Sequence, residues 1–172
     1  MGTAEPLFEQ LKHLQDSQTI ILGIGNSLKG DDGVGPYVCK LLQHSKVSAE
    51  IIDAGTVPEN YIQTIVKKAP TNLLIIDAMD FGAKAGTIEL FKPEQLSSYA
   101  ISTHTLSPRL FVDILSRQIK ANVYFIGIQS AQTHLGQSIS GRVKEAAQLL
   151  SRILTDLFPP KDRPINRRRK PA

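Results

Sequence analysis

An apolar, β-branched run that ends in a glycine-rich bend holding two carboxylates constrains this chain more than any other feature. It reads Ile20-Ile21-Leu22-Gly23-Ile24-Gly25-Asn26-Ser27-Leu28-Lys29-Gly30-Asp31-Asp32-Gly33-Val34-Gly35-Pro36. Residues 18–24 are nearly continuously apolar rather than alternating, the pattern of a strand buried on both faces. The glycines of the bend permit backbone conformations closed to other residues, and Pro36 suits the first turn of a helix. A strand, loop and helix in this order belong to an open parallel sheet, whose ligands bind in loops at the carboxyl ends of the strands. Charge narrows the ligand. A phosphate-binding loop carries Lys and a hydroxyl where this one has Asp31 and Asp32, and the dinucleotide fingerprint fails because Leu28 stands in place of its third glycine. The bend suits a cation.

The remaining pattern alternates strands with helices. A helix is expected over 36–43, a short strand over 50–54, a loop over 55–60 and a second helix ending near Lys67 and Lys68, which suit a helix C-terminus. Pro70 precedes the most strand-like run, 72–78, in which Asp77 closes a buried strand and needs a partner there. Alternation over 87–91 predicts a half-exposed edge strand, a candidate for antiparallel pairing. Ser107-Pro108 is a helix start, with Ser as cap and Pro at the first helical position. Another buried strand follows over 122–129, and a long final helix runs over 140–158. The pattern predicts a single three-layer α/β/α domain around a mostly parallel, twisted sheet. Residues 1–17 form an N-terminal extension with a helical pattern (Phe8, Leu11, Leu14), 18–158 the domain, and 159–172 a basic tail.

Three ionisable side chains fall where chain leaves buried strands or enters helices: Asp31 or Asp32, Asp77, and His104 before the Ser107 helix. Parallel strands bring those ends to one sheet edge. Two oxygens and one imidazole form an open site that Zn, Mn or Ni could occupy, with positions left for water or substrate. The plainer alternatives are that Asp31 caps the following helix, Asp77 caps a turn, and His104 is structural. His44 and His134 lack an acidic partner at a strand end. Ser27 and Ser102 lack the Gly-x-Ser-x-Gly elbow of a nucleophile, and no His-Glu-x-x-His zinc motif is present. A non-enzymatic rival is the phosphorylation receiver, which also places acids after its first strand and an aspartate on its third. It requires its acid pair immediately at the strand end and a lysine after its last strand, where this chain has Gln129 and Ser130.

Composition bounds the setting. Hydrophobic residues make up 41% and charged residues 21% of 172, ordinary values for one globular domain. The net charge of +4 resides in the tail, where six basic residues stand against Asp162 and leave the first 158 residues at −1. A charged, proline-punctuated tail without interleaved aromatics reads as disordered rather than nucleic-acid-binding. The acidic, helical N-terminus does not read as a signal peptide, no apolar run spans a membrane, and Cys39 alone excludes an internal disulfide. A cytoplasmic monomer is expected.

With these residues in view, the chain resembles the hydrogenase maturation endopeptidases, most closely the branch that processes the large subunit of the formate-hydrogenlyase (hydrogenase 3) type of nickel-iron hydrogenase. The opening motif from Gly25 to Pro36 carries the likeness, followed in order by Asp53-Ala54-Gly55-Thr56-Val57-Pro58-Glu59-Asn60, Leu73-Leu74-Ile75-Ile76-Asp77-Ala78, Ser102-Thr103-His104 and Phe125-Ile126-Gly127-Ile128-Gln129-Ser130. The resemblance implies a metal-binding set of Asp32, Asp77 and His104, with Asp32 or Asp77 as catalytic acid or base in an aspartic-type cleavage, and leaves Asp31 as a loop or cap residue. It implies as partner the large-subunit precursor, which loses a C-terminal extension after nickel insertion. The nickel is then supplied by the precursor rather than kept by the enzyme, although another divalent metal could occupy the isolated protein. The alternative is a receiver-like or metal-sensing module that binds without cutting.

Overall fold

A computed structural model describes residues 4–98 and 107–161. Among the described residues five strands form one sheet: β1 (Thr19–Ile24), β2 (Glu50–Gly55), β3 (Asn72–Met79), β4 (Ile88–Phe91) and β5 (Asn122–Gln129), in the order β2-β1-β3-β5-β4. All neighbours pair in parallel except β4, which runs antiparallel to β5 along the sheet edge. The alternation of Ile88-Glu89-Leu90-Phe91 explains that edge, since Ile88 and Phe91 are buried while Glu89 faces solvent.

Alternating side chains of the central strands supply two cores. Ile21, Leu74, Ile76, Ile126 and Ile128 face α1 (Ala4–Leu11), α2 (Val34–His44) and α5 (Gly141–Leu157). Ile20, Leu22, Leu73, Ile75 and Phe125 face α3 (Ile62–Lys68) and α4 (Pro108–Ser116). Each large aliphatic side chain removed from water contributes about 1.5–3 kcal/mol, which is why continuous apolar runs occupy these strands. The expected three layers are present. Leu7, Leu11 and Leu14 of the N-terminal segment are buried in the α5 core, so that segment completes a layer of the fold.

Ser107 caps α4 through its Oγ, which accepts the Leu110 N–H at 3.2 Å, with Pro108 as the first helical residue. Other boundaries differ from the sequence reading. The bend does not run loosely to Pro36: a 3₁₀ turn, Gly30–Gly33, leads directly into α2 at Val34, and Pro36 sits in the first turn, where no intrahelical partner for an N–H is lost. Residues 58–60, expected as loop, belong to another 3₁₀ turn, Pro58–Tyr61. β3 continues two residues beyond Asp77 because β5 pairs with it as far as Met79 opposite Gln129.

Candidate active site

The chain leaves β1 through α2 to β2 on one side, then returns through α3 to β3 on the other side of β1. The strand order therefore reverses between β1 and β3, the place where open α/β sheets form their ligand crevice. Both candidate carboxylates come from this point. Asp32 lies in the Gly30–Gly33 turn that follows β1 and packs against β3, and Asp77 lies near the carboxyl end of β3 itself. Alternation puts Asp77 on the face of Leu73 and Ile75, the side that α4 covers. The segment entering α4 carries His104, which lies outside the described residues together with Ser102 and Thr103. The basic tail from 162 onward also lies outside them.

Close backbone approach holds the bend in place. Gly25 has φ +148°, and a Cβ there would stand 1.8 Å from the Asp32 carbonyl oxygen. The first turn of α2 rests on the strand ends: a Cβ at Gly35 would stand 2.2 Å from the Ile24 carbonyl oxygen and 2.7 Å from that of Ile76. Glycine is required at both positions for contact, and at Gly25 for conformation as well.

The two adjacent aspartates do different things. Asp32 is 3% exposed, and its Oδ2 accepts the Asn26 N–H at 3.1 Å, across the bend. Asp77 is 4% exposed. Asp31 is fully buried and reaches the segment after β5 instead. Its Oδ2 accepts the N–H groups of Ala131 (2.8 Å) and Gln132 (3.0 Å) and the Ser140 hydroxyl (3.0 Å), while its Oδ1 accepts the Ser140 N–H (2.6 Å). Asp31 therefore caps no part of α2; it anchors the residue that precedes α5.

Gln129 supports the loop beside Asp77, a role that its place in the sequence does not signal. It is buried at the end of β5, and its Oε1 accepts the N–H groups of Phe81 (2.9 Å) and Ala83 (3.2 Å), fixing the loop just past Asp77. Its Nε2 donates to Asp80 Oδ1 at 3.1 Å. That bond, joined by the Gly82 N–H, holds the exposed Asp80 carboxyl below its ordinary value. Cys39 takes no part in the site. Burial, with the negative charge of Asp53 nearby, pushes its thiol up to about 12, and its Sγ lies 3.6 Å from the Ile52 carbonyl as the donor. A cavity of about 420 Å³ opens beside the bend, lined by Ser27, Gly33, Tyr37, Lys40, Asp53 and Ile139.

Among the described residues no three His, Cys, Asp or Glu side chains group closely enough to hold a metal alone. Nor is any helix among them long and apolar enough to cross a membrane.

Fold and site thus define a doubly wound α/β protein with buried acids at its switch point. The hydrogenase maturation protease family model matches residues 36–156. The hydrogenase 3 maturation protease of Escherichia coli K12 is 34% identical over 131 residues, covering 75% of this chain and 83% of that protein. Among solved structures, the NiFe hydrogenase maturation protease HycI from Thermococcus kodakarensis KOD1 superposes with a TM-score of 0.78 at 27% identity, over 86% of this chain and 97% of that one. The endopeptidase HycI from Escherichia coli gives 0.72 at 31% identity, over 78% and 87%. The chain belongs to the hydrogenase maturation protease family, and its activity is that of an endopeptidase, a hydrolase.

Proposed function

We propose that this protein cuts the C-terminal extension from a nickel-iron hydrogenase large-subunit precursor after nickel has been inserted, with Asp32, Asp77 and His104 meeting the metal from the protease side. The observation that carries the reading is the placement of two buried carboxylates at the switch point, Asp32 in the turn that follows β1 and Asp77 near the carboxyl end of β3. Carboxylate oxygens with one imidazole suit a divalent metal that brings further ligands of its own, such as the thiolates of a hydrogenase active site. A loaded precursor brings a cation to these carboxylates and an empty one does not, which favours binding of the loaded form.

In the cleavage itself, Asp32 or Asp77 takes a proton from a water molecule whose oxygen attacks the scissile carbonyl. The carbon–nitrogen bond then breaks, and the same proton passes to the departing amine. We assign the reaction to the cytoplasm.

The test is cleavage of purified nickel-loaded precursor by the wild type and by Asp32→Asn, Asp77→Asn and His104→Ala. Loss of processing with an unchanged fold supports all three assignments, whereas normal processing by any one removes that residue from the site. Acid-labile phosphate on Asp77 after treatment with a small phosphodonor, without cleavage, supports the receiver alternative instead.

A further inference from the structure

The four hydrogen bonds that converge on Asp31 tie the β1 bend to a segment about a hundred residues away. Backbone bonds reinforce the same junction. The Asp31 N–H donates to the Gln132 carbonyl (2.8 Å), the Gly30 N–H to that of Gln137 (3.0 Å), and the Gly136 N–H to that of Leu28 (2.8 Å). A Cβ at Gly30, where φ is +54°, would stand 2.7 Å from the Gln132 carbonyl oxygen. The bend and residues 131–140 are therefore one closely fitted unit, with the buried Asp31 carboxylate at its centre.

Asp32 is the next residue, and its own backbone is held between neighbours. Its N–H donates to the Lys29 carbonyl at 3.1 Å, and its carbonyl lies against Gly25. Asp31 and Asp32 share one planar peptide unit, so a shift of the bend at Asp31 is carried to the backbone that bears the Asp32 side chain. We propose that Asp31 is a positioning residue: by binding Ala131, Gln132 and Ser140 it fixes the orientation of Asp32 and so controls the rate of precursor cleavage, without touching the substrate. The inference rests on Asp32 acting as a site residue, as proposed above.

Two full-length variants test it. Asp31→Asn replaces one acceptor oxygen by an amide that points donors at donors. Ser140→Pro leaves Asp31 intact but removes two of its four partners, and the backbone at Ser140 already has φ −65°, the proline value. Each is assayed in single turnover with enzyme in excess over nickel-loaded precursor, the rate being expressed per folded molecule from near-UV circular dichroism, and precursor affinity is measured separately. Asp32→Asn is run beside them. The expected result is unchanged affinity with cleavage slowed by about 10- to 100-fold, the range that a misplacement of about 1 Å produces. A purely structural role lowers the melting temperature but leaves the rate per folded molecule at the wild-type value, and that result overturns the inference. If Asp31→Asn does not fold, Ser140→Pro decides on the same criterion. An inactive Asp32→Asn beside normal rates in both other variants refutes only the positioning role, whereas an active Asp32→Asn removes Asp32 from the site and this inference with it.

Discussion

Replacing Gly35 by alanine tests whether the bend is held by the seating of α2 on the strand ends. The added methyl carbon would stand 2.2 Å from Ile24 O, 2.7 Å from Ile24 N and 2.7 Å from Ile76 O. All three are backbone atoms of central strands, and the gaps fall roughly 1 Å short of the ~3.5 Å at which carbon contacts become favourable. Neither β1 nor β3 can move without breaking its pairing on both sides, so α2 must lift. Overpacking of this kind costs about 3 kcal/mol, the upper part of the usual range. For a chain of this size that is a fall of roughly 6–12 °C in melting temperature. Gly127→Ala is the control. Its Cβ would meet Met79 Sδ at 2.6 Å and Phe91 Cε2 at 2.9 Å, the far ends of side chains that can turn aside. It should cost about 1 kcal/mol. Thermal melts followed by far-UV circular dichroism compare the two. If Gly35→Ala melts within about 2 °C of the wild type, less than 1 kcal/mol at this chain length, or if Gly127→Ala is the more damaging, the argument from backbone seating fails.

Cys39 should resist a thiol reagent at pH 8 until the chain unfolds, because burial keeps it protonated; rapid labelling of the native protein would contradict this. The folded thiol titrates at about 12 against an ordinary 9.0, so its contribution to stability is fully present below pH 9 and is lost as pH rises toward 12, which denaturant melts across that window would detect. Gln129→Ala removes the acceptor for Phe81 and Ala83 and the donor to Asp80, so amide exchange over 80–83 should quicken. The Asp80 carboxyl should then rise toward its ordinary 3.8 in an NMR titration. In the wild type the stability linked to Asp80 is present above that value and is lost as pH falls through the lowered one. Leu11→Ala should destabilise by about 2–5 kcal/mol, as for any fully buried leucine, since α1 completes the α5 core; an unchanged urea midpoint would show that α1 contributes nothing to that layer.

The strands and most helices were legible because their signals are local. Continuous apolar runs gave β1, β3 and β5, alternation gave the β4 edge, and Ser107-Pro108 gave the start of α4. The positions of Asp32 and Asp77 followed from the rule that parallel strands gather their carboxyl ends. The different work of Asp31 was not legible, since its partners lie 100 to 109 residues away and leave no pattern around it. The same holds for Gln129, whose ends reach Asp80, Phe81 and Ala83 across the sheet edge. Asp77 read as closing its strand, whereas β3 runs on to Met79, because a strand's length is set by its neighbour and not by its own residues. Leu7, Leu11 and Leu14 marked a helix, but only tertiary packing places it in the core.

We propose that two buried carboxylates at the β1–β3 switch point let this endopeptidase distinguish a metal-loaded precursor from an empty one. The direct measurement incubates the full-length protein with nickel-loaded and nickel-free large-subunit precursor, the latter under strict chelation, and reads the C-terminus of each by mass spectrometry. A single cut is expected in the loaded precursor and an intact C-terminus in the empty one. Efficient cleavage of the nickel-free precursor would contradict it and point to a metal-independent aspartic mechanism on the same residues.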